Sequence, residues 1–219
     1  MGRSRALIGA RRIVVKVGSG LITAPGEGPV APRISALAAD LAALVKDGRE
    51  VALVSSGAIA TGMARLGLPA RPRSIPEKQA AAAVGQSALM WQYEQAFKRH
   101  GIQVGQVLLT REDIGDRSRY LNARNTLLAL LDFGVLPIIN ENDTVAVDEI
   151  KVGDNDNLAA LVAHLIDADL LVLLTDVDGL YTGDPRRDPT ARRLEIVEAV
   201  TEDIQRLVFD TATRVSVGG

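Results

Sequence analysis

The fold is decided between residues 12 and 55, which begin with Arg12-Ile-Val-Val-Lys-Val-Gly18 and end with Glu50-Val-Ala-Leu-Val-Ser55. Both segments are short and rich in β-branched residues, a pattern that predicts buried strands. Between them, apolar residues recur at helical spacing from Ile34 to Val45. A strand, a helix and a second strand in so short a span predict a right-handed βαβ unit, in which the two strands run parallel.

The same alternation of patterns continues towards the carboxyl end. Further strands are predicted at 104–109, 135–139 and 170–174, and further helices at 58–66, 77–99, 120–131 and 158–166. Segments 21–32 and 111–119 are predicted to be loops, and 144–152 a small β excursion. Strands that alternate with helices favour an α/β fold whose mainly parallel sheet is covered on both faces.

Composition narrows the class of protein. The 219 residues carry a formal net charge of −2 and are 47% hydrophobic, as expected for a globular chain with a substantial core. The absence of cysteine excludes disulfides, thiolate metal sites and a cysteine nucleophile. No basic tract indicates nucleic-acid binding, and no apolar run approaches the ~20 residues of a membrane span. The default expectation is a cytoplasmic protein without nucleic-acid or membrane partners.

Polar clusters follow four of the predicted strands. They are Lys16 with Gly18-Ser19-Gly20, then Ser55-Ser56-Gly57, the stretch from Asn140 to Asn157, and Thr175-Asp176. In open α/β sheets, ligands bind at the carboxyl ends of the strands. The P-loop and G-x-G-x-x-G signatures are both absent, which excludes a P-loop protein and disfavours a Rossmann dehydrogenase.

Lys16 is the most informative single residue, because a lysine inside a strand of valine and isoleucine needs a partner or a solvated cleft. It has two interpretations: a structural ion pair with a carboxylate such as Asp156, or neutralisation of a phosphoryl group in transfer. The glycine turn that follows favours anion binding, since free backbone N–H groups then converge near the ammonium group. Phosphoryl transfer requires little beyond positioning and positive charge. Ser56, Asn140 and Asn155 would then contact polar groups of a small acceptor, and Asp143 suits an amino group.

Eight segments together resemble the amino acid kinase family, and within it the glutamate 5-kinases. They are IVVKVGS (13–19), VSSGAIA (54–60), KQAAAAVGQ (78–86), LTR (109–111), LNAR (121–124), INEND (139–143), IKVGDNDN (150–157) and LTD (174–176) with GLY (179–181). The lysine–glycine start is shared across the wider family. The INEND and KVGDNDN motifs are much more specific to the glutamate enzymes.

The resemblance implies a three-layer α/β/α sandwich and ATP-dependent phosphorylation of the glutamate side-chain carboxylate, with Mg²⁺, as the first step of proline synthesis. It implies that Lys16 contacts the transferring phosphoryl group and that Asp156 organises the catalytic lysines. The implied glutamate-binding residues are Ser56, Asn140, Asp143, Asp154 and Asn155. The implied nucleotide-binding residues are Lys16, Gly18, Ser19, Thr175, Asp176 and Tyr181. No residue is assigned directly to a metal ion.

The resemblance also carries expectations about the whole protein. It implies inhibition by proline, and a homodimer or homotetramer. Residues 1–167 are expected to form the acceptor lobe, and 168–219 the start of a nucleotide lobe. The chain stops at Val217-Gly218-Gly219, which resembles the beginning of the family's G-T-G-G-M-x-T-K segment, so the second catalytic lysine and any PUA domain are expected beyond it. The 219 residues alone are therefore not expected to be a competent kinase.

Two alternatives remain open from the sequence. One is a kinase of the same fold with another acceptor: N-acetylglutamate, aspartate, carbamate or UMP. Asp143 argues for an acceptor with a free amino group. The other is a non-catalytic module that senses glutamate or proline.

Overall fold

The computed structural model describes residues 8–24, 26–146, 154–175, 178–185 and 187–207, with Asp154 described by its backbone only. Contacts divide the chain into two compact units, the first ending at Thr175 and the second beginning at Asp176. Among the described residues, no helix has both the length and the apolar character needed to cross a membrane.

The first unit is built on a parallel sheet of five strands. These strands are β1 (Arg12–Val17), β4 (Glu50–Ser55), β5 (Val104–Leu109), β6 (Leu136–Glu141) and β7 (Leu170–Leu174). Two short strands, β2 (Thr23–Ala24) and β3 (Gly28–Pro29), form a separate antiparallel pair. The order across the large sheet is β5-β6-β4-β1-β7, so β1 and β4 are central. All four neighbouring pairs are parallel, as the sequence predicts.

Helices connect the strands. They are α1 (Ser19–Ile22), α2 (Ala31–Lys46), α3 (Ala58–Leu66), α4 (Ile75–Lys98), α5 (Arg111–Gly115), α6 (Arg117–Asp132) and α7 (Asp154–Leu165). The bounds of β4, β5, α3 and β7 agree with those predicted from the sequence.

Alternation along the strands separates two cores. Ile13, Val15 and Val17 of β1 pack in one core with α2 and α4. Val14 packs in the other core, with α6 and α7. Because side chains alternate between the faces of a strand, Lys16 shares the face of Val14, towards α7. The three-layer α/β/α sandwich expected from the sequence is confirmed.

Three predictions about the connections are wrong. Residues 111–119 are helical rather than a loop, because Thr110 and Asp113 form a reciprocal capping box that starts α5 and Asp116 caps α6. Segment 21–32 contains the end of α1, the β2–β3 pair and the start of α2. Helix α7 begins at Asp154, one turn before the predicted start at Leu158. The predicted β excursion at 144–152 lies largely outside the described residues.

Helices α3 and α4 pack through glycine. A Cβ on Gly62 would lie 2.6 Å from the carbonyl carbon of Ala81, and a Cβ on Gly85 would lie 2.9 Å from that of Ala58. Both distances are too short for real atoms, so the two backbones are in direct contact. The close approach at Gly85 places the first turn of α3 against the middle of α4.

Candidate functional site

Lys16 lies near the carboxyl end of β1 with its side chain almost fully buried, only 9% of the residue being exposed. Its Nζ lies 2.7 Å from Oδ1 of Asp156, in the first turn of α7. A buried ammonium group costs several kcal/mol unless a counter-charge compensates it, and Asp156 supplies that charge. The Asp156 side chain is 48% exposed, so the pair opens to solvent on that side. The ion pair considered from the sequence is therefore present, and a contact of Lys16 with phosphate stays a prediction.

A glycine turn lies against this pair. A Cβ on Gly18 would lie 3.7 Å from Nζ of Lys16 and 3.9 Å from the carbonyl oxygen of Leu174. Ser19 begins α1, and its Cβ is 3.8 Å from the position of a Cβ on Gly57. The turns that follow β1 and β4 therefore meet beside Lys16.

Asn155, also in the first turn of α7, joins three elements. Its Nδ2 donates to Oγ of Ser56 at 2.7 Å, to Oδ1 of Asn140 at 3.0 Å and to the carbonyl oxygen of Ser55 at 3.2 Å. Asn140 is 3% exposed on β6. These contacts hold the ends of β4 and β6 against α7, next to the Lys16–Asp156 pair. With Gly18 and Ser19, the structure thus brings together seven of the residues predicted for the site.

Gln86 belongs to this network, although the interpretation of the sequence gave it no role. Its Oε1 accepts a hydrogen bond from Nδ2 of Asn140 at 2.9 Å. The available signal was its position directly after Gly85, within the KQAAAAVGQ motif.

At the end of β4, the buried hydroxyl groups of Ser55 and Tyr93 are hydrogen-bonded to each other. Oγ of Ser55 lies 2.8 Å from the hydroxyl of Tyr93, and Ser55 also donates to the carbonyl oxygen of Ser56 at 3.1 Å. Because the single hydroxyl hydrogen of Ser55 is used in the second bond, Tyr93 donates in the first. Burial raises the pKa of Tyr93 well above its usual value, the bond with Ser55 opposing this more weakly, so the phenol stays protonated.

The start of α3 faces the same edge of the sheet. Gly57 adopts φ 109°, a left-handed conformation, and no side chain caps the helix that follows. A Cβ on Gly57 would also lie 3.3 Å from Cγ2 of Thr23. Among the described residues, the first amides of α3 therefore have no side-chain acceptor at the end of β4.

The remaining predicted residues are Asp143, Asp154, Thr175, Asp176 and Tyr181. Asp143 is half-buried in the turn after β6, and Thr175 is exposed directly after β7. Asp154 begins α7, but its side chain lies outside the described residues, as does the whole of Asp176. Tyr181 belongs to the second unit, where its hydroxyl donates to Oδ1 of Asp178 at 2.9 Å. That hydrogen bond raises the pKa of Tyr181.

Comparison with known proteins identifies the family. The sequence profile of the amino acid kinase family matches residues 11–211. The chain belongs to the amino acid kinase family. This membership agrees with the resemblance inferred from the motifs and with the three-layer architecture.

Individual relatives in the amino acid kinase family are similar over almost the whole chain. The glutamate 5-kinase of Geobacter metallireducens is 54% identical over 217 residues, covering 99% of this chain and 58% of that protein. The glutamate 5-kinases of Polaromonas sp. and Ralstonia pickettii are each 57% identical, over 99% and 96% of this chain and 57% and 56% of their own lengths. The chain therefore spans less than three fifths of the length of these curated relatives.

Proposed function

We propose that the complete protein transfers the terminal phosphoryl group of ATP to the side-chain carboxylate of L-glutamate, giving L-glutamyl 5-phosphate for proline synthesis. The observation that carries the proposal is the Lys16–Asp156 pair, 2.7 Å apart, beside the amide network of Asn140 and Asn155. The similarity to glutamate 5-kinases supports the choice of acceptor.

The order of the strands supports an assignment of each substrate to one side of the site. β6, β4 and β1 are consecutive, so two strand spacings, about 10 Å, separate the strand of Asn140 from that of Lys16. We assign the nucleotide to the side of β1 and β7, near Gly18, Ser19 and Thr175, while nucleotide contacts of Asp176 and Tyr181 rest on the family resemblance alone. Glutamate would extend from Lys16 towards β6, with its amino acid end near Ser56, Asn140, Asp143, Asp154 and Asn155.

Phosphoryl transfer to a carboxylate requires little from the protein beyond positive charge and correct positioning of the substrates. An oxygen of the glutamate side-chain carboxylate attacks the terminal phosphorus. The new P–O bond forms as the bond to the bridging oxygen of ADP breaks. Because a glutamate carboxyl has a pKa of about 4.3, it is already ionised at neutral pH and needs no general base. Lys16 would stabilise the charge on the phosphoryl oxygens, and Asp156 would hold that ammonium group in place.

Mg²⁺ would accompany the nucleotide and neutralise charge on its phosphates. Among residues 8–207, as far as the structure describes them, no group of three acidic or histidine side chains could hold a metal ion alone. A Mg²⁺ held largely by phosphate and water needs only one or two protein carboxylates, such as Asp156. Proline inhibition, a homodimer or homotetramer and a cytoplasmic location belong to the same proposal and rest on the family resemblance.

A hydroxamate assay on the complete protein tests the proposal, because hydroxylamine traps the acyl phosphate. We expect glutamate-dependent hydroxamate that requires ATP and Mg²⁺, and none with N-acetylglutamate, whose blocked amino group cannot pair with Asp143. Turnover of N-acetylglutamate without turnover of glutamate would overturn the assignment.

A further inference from the structure

Gln86 is fixed in one orientation by a chain of hydrogen bonds that begins at the backbone. The N–H of Glu141 donates to Oδ1 of Asn140 at 2.9 Å, and a backbone N–H can only donate. Oδ1 of Asn140 also accepts from Asn155 at 3.0 Å. Nδ2 of Asn140 must therefore point the other way, towards Gln86.

Gln86 then has to present its oxygen to Asn140, at 2.9 Å. This leaves both hydrogens of its Nε2 for another partner, and Nε2 has none among the described residues. The residue is half-buried, beside Gly85 and the first turn of α3. The two N–H donors of Gln86 Nε2 thus lie at the end of the proposed glutamate site nearest Asn140.

The geometry points to a contact between Nε2 of Gln86 and the α-carboxylate of the acceptor amino acid. This inference rests on the proposed function. Two N–H donors attract a carboxylate and repel an ammonium group, which excludes the α-amino group as the partner. Of the two carboxylates of glutamate, the one in the side chain must reach Lys16 on β1, two strands from the Asn140 that holds Gln86. The α-carboxylate is the one left for Gln86.

Gln86→Glu separates this contact from the support that Gln86 gives Asn140. A glutamate at this position keeps an oxygen for Nδ2 of Asn140 and replaces the free donor by a second, charged oxygen. The matched control is Gln92→Glu, on the same helix, since Gln92 makes no hydrogen bond to the described part of the chain. The complete protein is assayed with glutamate and with 4-aminobutanoate, which lacks the α-carboxylate but keeps the reacting one.

We expect Gln86→Glu to lower kcat/KM for glutamate by about ten- to one-hundredfold, mainly through KM, as for a lost hydrogen bond to a charged group. We expect activity with 4-aminobutanoate to be weak in the parent protein and to fall by less than threefold in the variant. The preference for glutamate over 4-aminobutanoate would therefore shrink, and Gln92→Glu should leave it unchanged.

Equal losses with both substrates would overturn the contact and assign Gln86 only to the orientation of Asn140. If Gln86→Glu does not fold, Gln86→Met is measured by the same ratio of substrates, and an unchanged ratio again overturns the inference. An inactive parent protein would overturn the proposed function itself, a result distinct from a parent that is active and a ratio that does not move.

Discussion

At the residue scale, Lys16 combines burial, one counter-charge and a neighbouring glycine turn. Its predicted role concerns charge that develops during transfer, so Lys16→Ala should lower kcat far more than it raises KM for glutamate. By analogy with other lost electrostatic contacts to a transition state, we expect a decrease of about 100- to 1000-fold. Steady-state kinetics of the complete protein measure both constants.

Lys46→Ala, at the exposed end of α2, is the matched control and should leave both constants unchanged. A Lys16→Ala effect confined to KM would assign the lysine to substrate binding alone.

Single residues also mark the limit of what the sequence predicts. Lys16 and Asp156 could be proposed as partners because a lysine in an apolar strand demands a counter-charge. Asn140 and Asn155 stood in a dense run of amides and acids at a strand end. Gln86 gave no comparable signal, since one glutamine in an alanine-rich helix is ordinary. Its role emerges only from the contact with Asn140, 54 positions away in the sequence.

At the scale of elements, long periodic segments were predictable and polar helix ends were not. Thr110, Asp113 and Asp116 are residue types that are common in loops. Here their side chains accept hydrogen bonds from backbone N–H groups and start two helices. At both helix starts local hydrogen bonding decides the structure, and hydrophobic periodicity carries no information about it.

The contact between α3 and α4 yields a prediction about stability. Gly62→Ala should destabilise the protein by about 3 kcal/mol or more, because the new methyl group would overlap backbone atoms of Ala81 and the helices would have to separate. Urea unfolding monitored by circular dichroism measures the change.

Gly115→Ala is the control, at a helical position with no atom within 4 Å of the added Cβ. It should be neutral or stabilising by up to about 1 kcal/mol. Similar losses in the two variants would mean that the helices do not touch through Gly62.

At the scale of the whole molecule, the layered fold was predictable because it follows from alternating strands and helices. Some elements are also joined by contacts that no local pattern indicates. Asp169, just before β7, accepts from the N–H groups of Arg12 at 2.7 Å and Arg11 at 2.9 Å. Arg124 of α6 binds the carbonyl oxygen of Leu165, the last residue of α7, and the carboxylate of Asp167, which lies just beyond that helix. These contacts link distant parts of the chain at the edge opposite the candidate site.

The same contacts predict how stability depends on pH. The N–H groups of Arg12 and then Arg11 lower the pKa of Asp169, and Arg124 lowers the pKa of Asp167. A carboxyl whose pKa is lower in the folded than in the unfolded chain stabilises the fold above its unfolded pKa, here 3.8. That contribution is lost as pH falls through the folded pKa. We therefore expect the free energy of unfolding to be steady near neutrality and to fall below about pH 4.

Asp169→Asn tests the origin of this dependence, since asparagine keeps an oxygen for the N–H groups but carries no charge to titrate. The variant should be less stable than the parent protein at pH 7, and the difference should narrow as the pH is lowered to 3, where the parent carboxylate is being protonated. Urea unfolding at several pH values measures it. Asp40→Asn is the control, because Asp40 is exposed on α2 and has no hydrogen bond or ion pair within the described residues. A gap between Asp169→Asn and the parent that stays constant from pH 7 to pH 3 would show that geometry, and not charge, makes Asp169 stabilising.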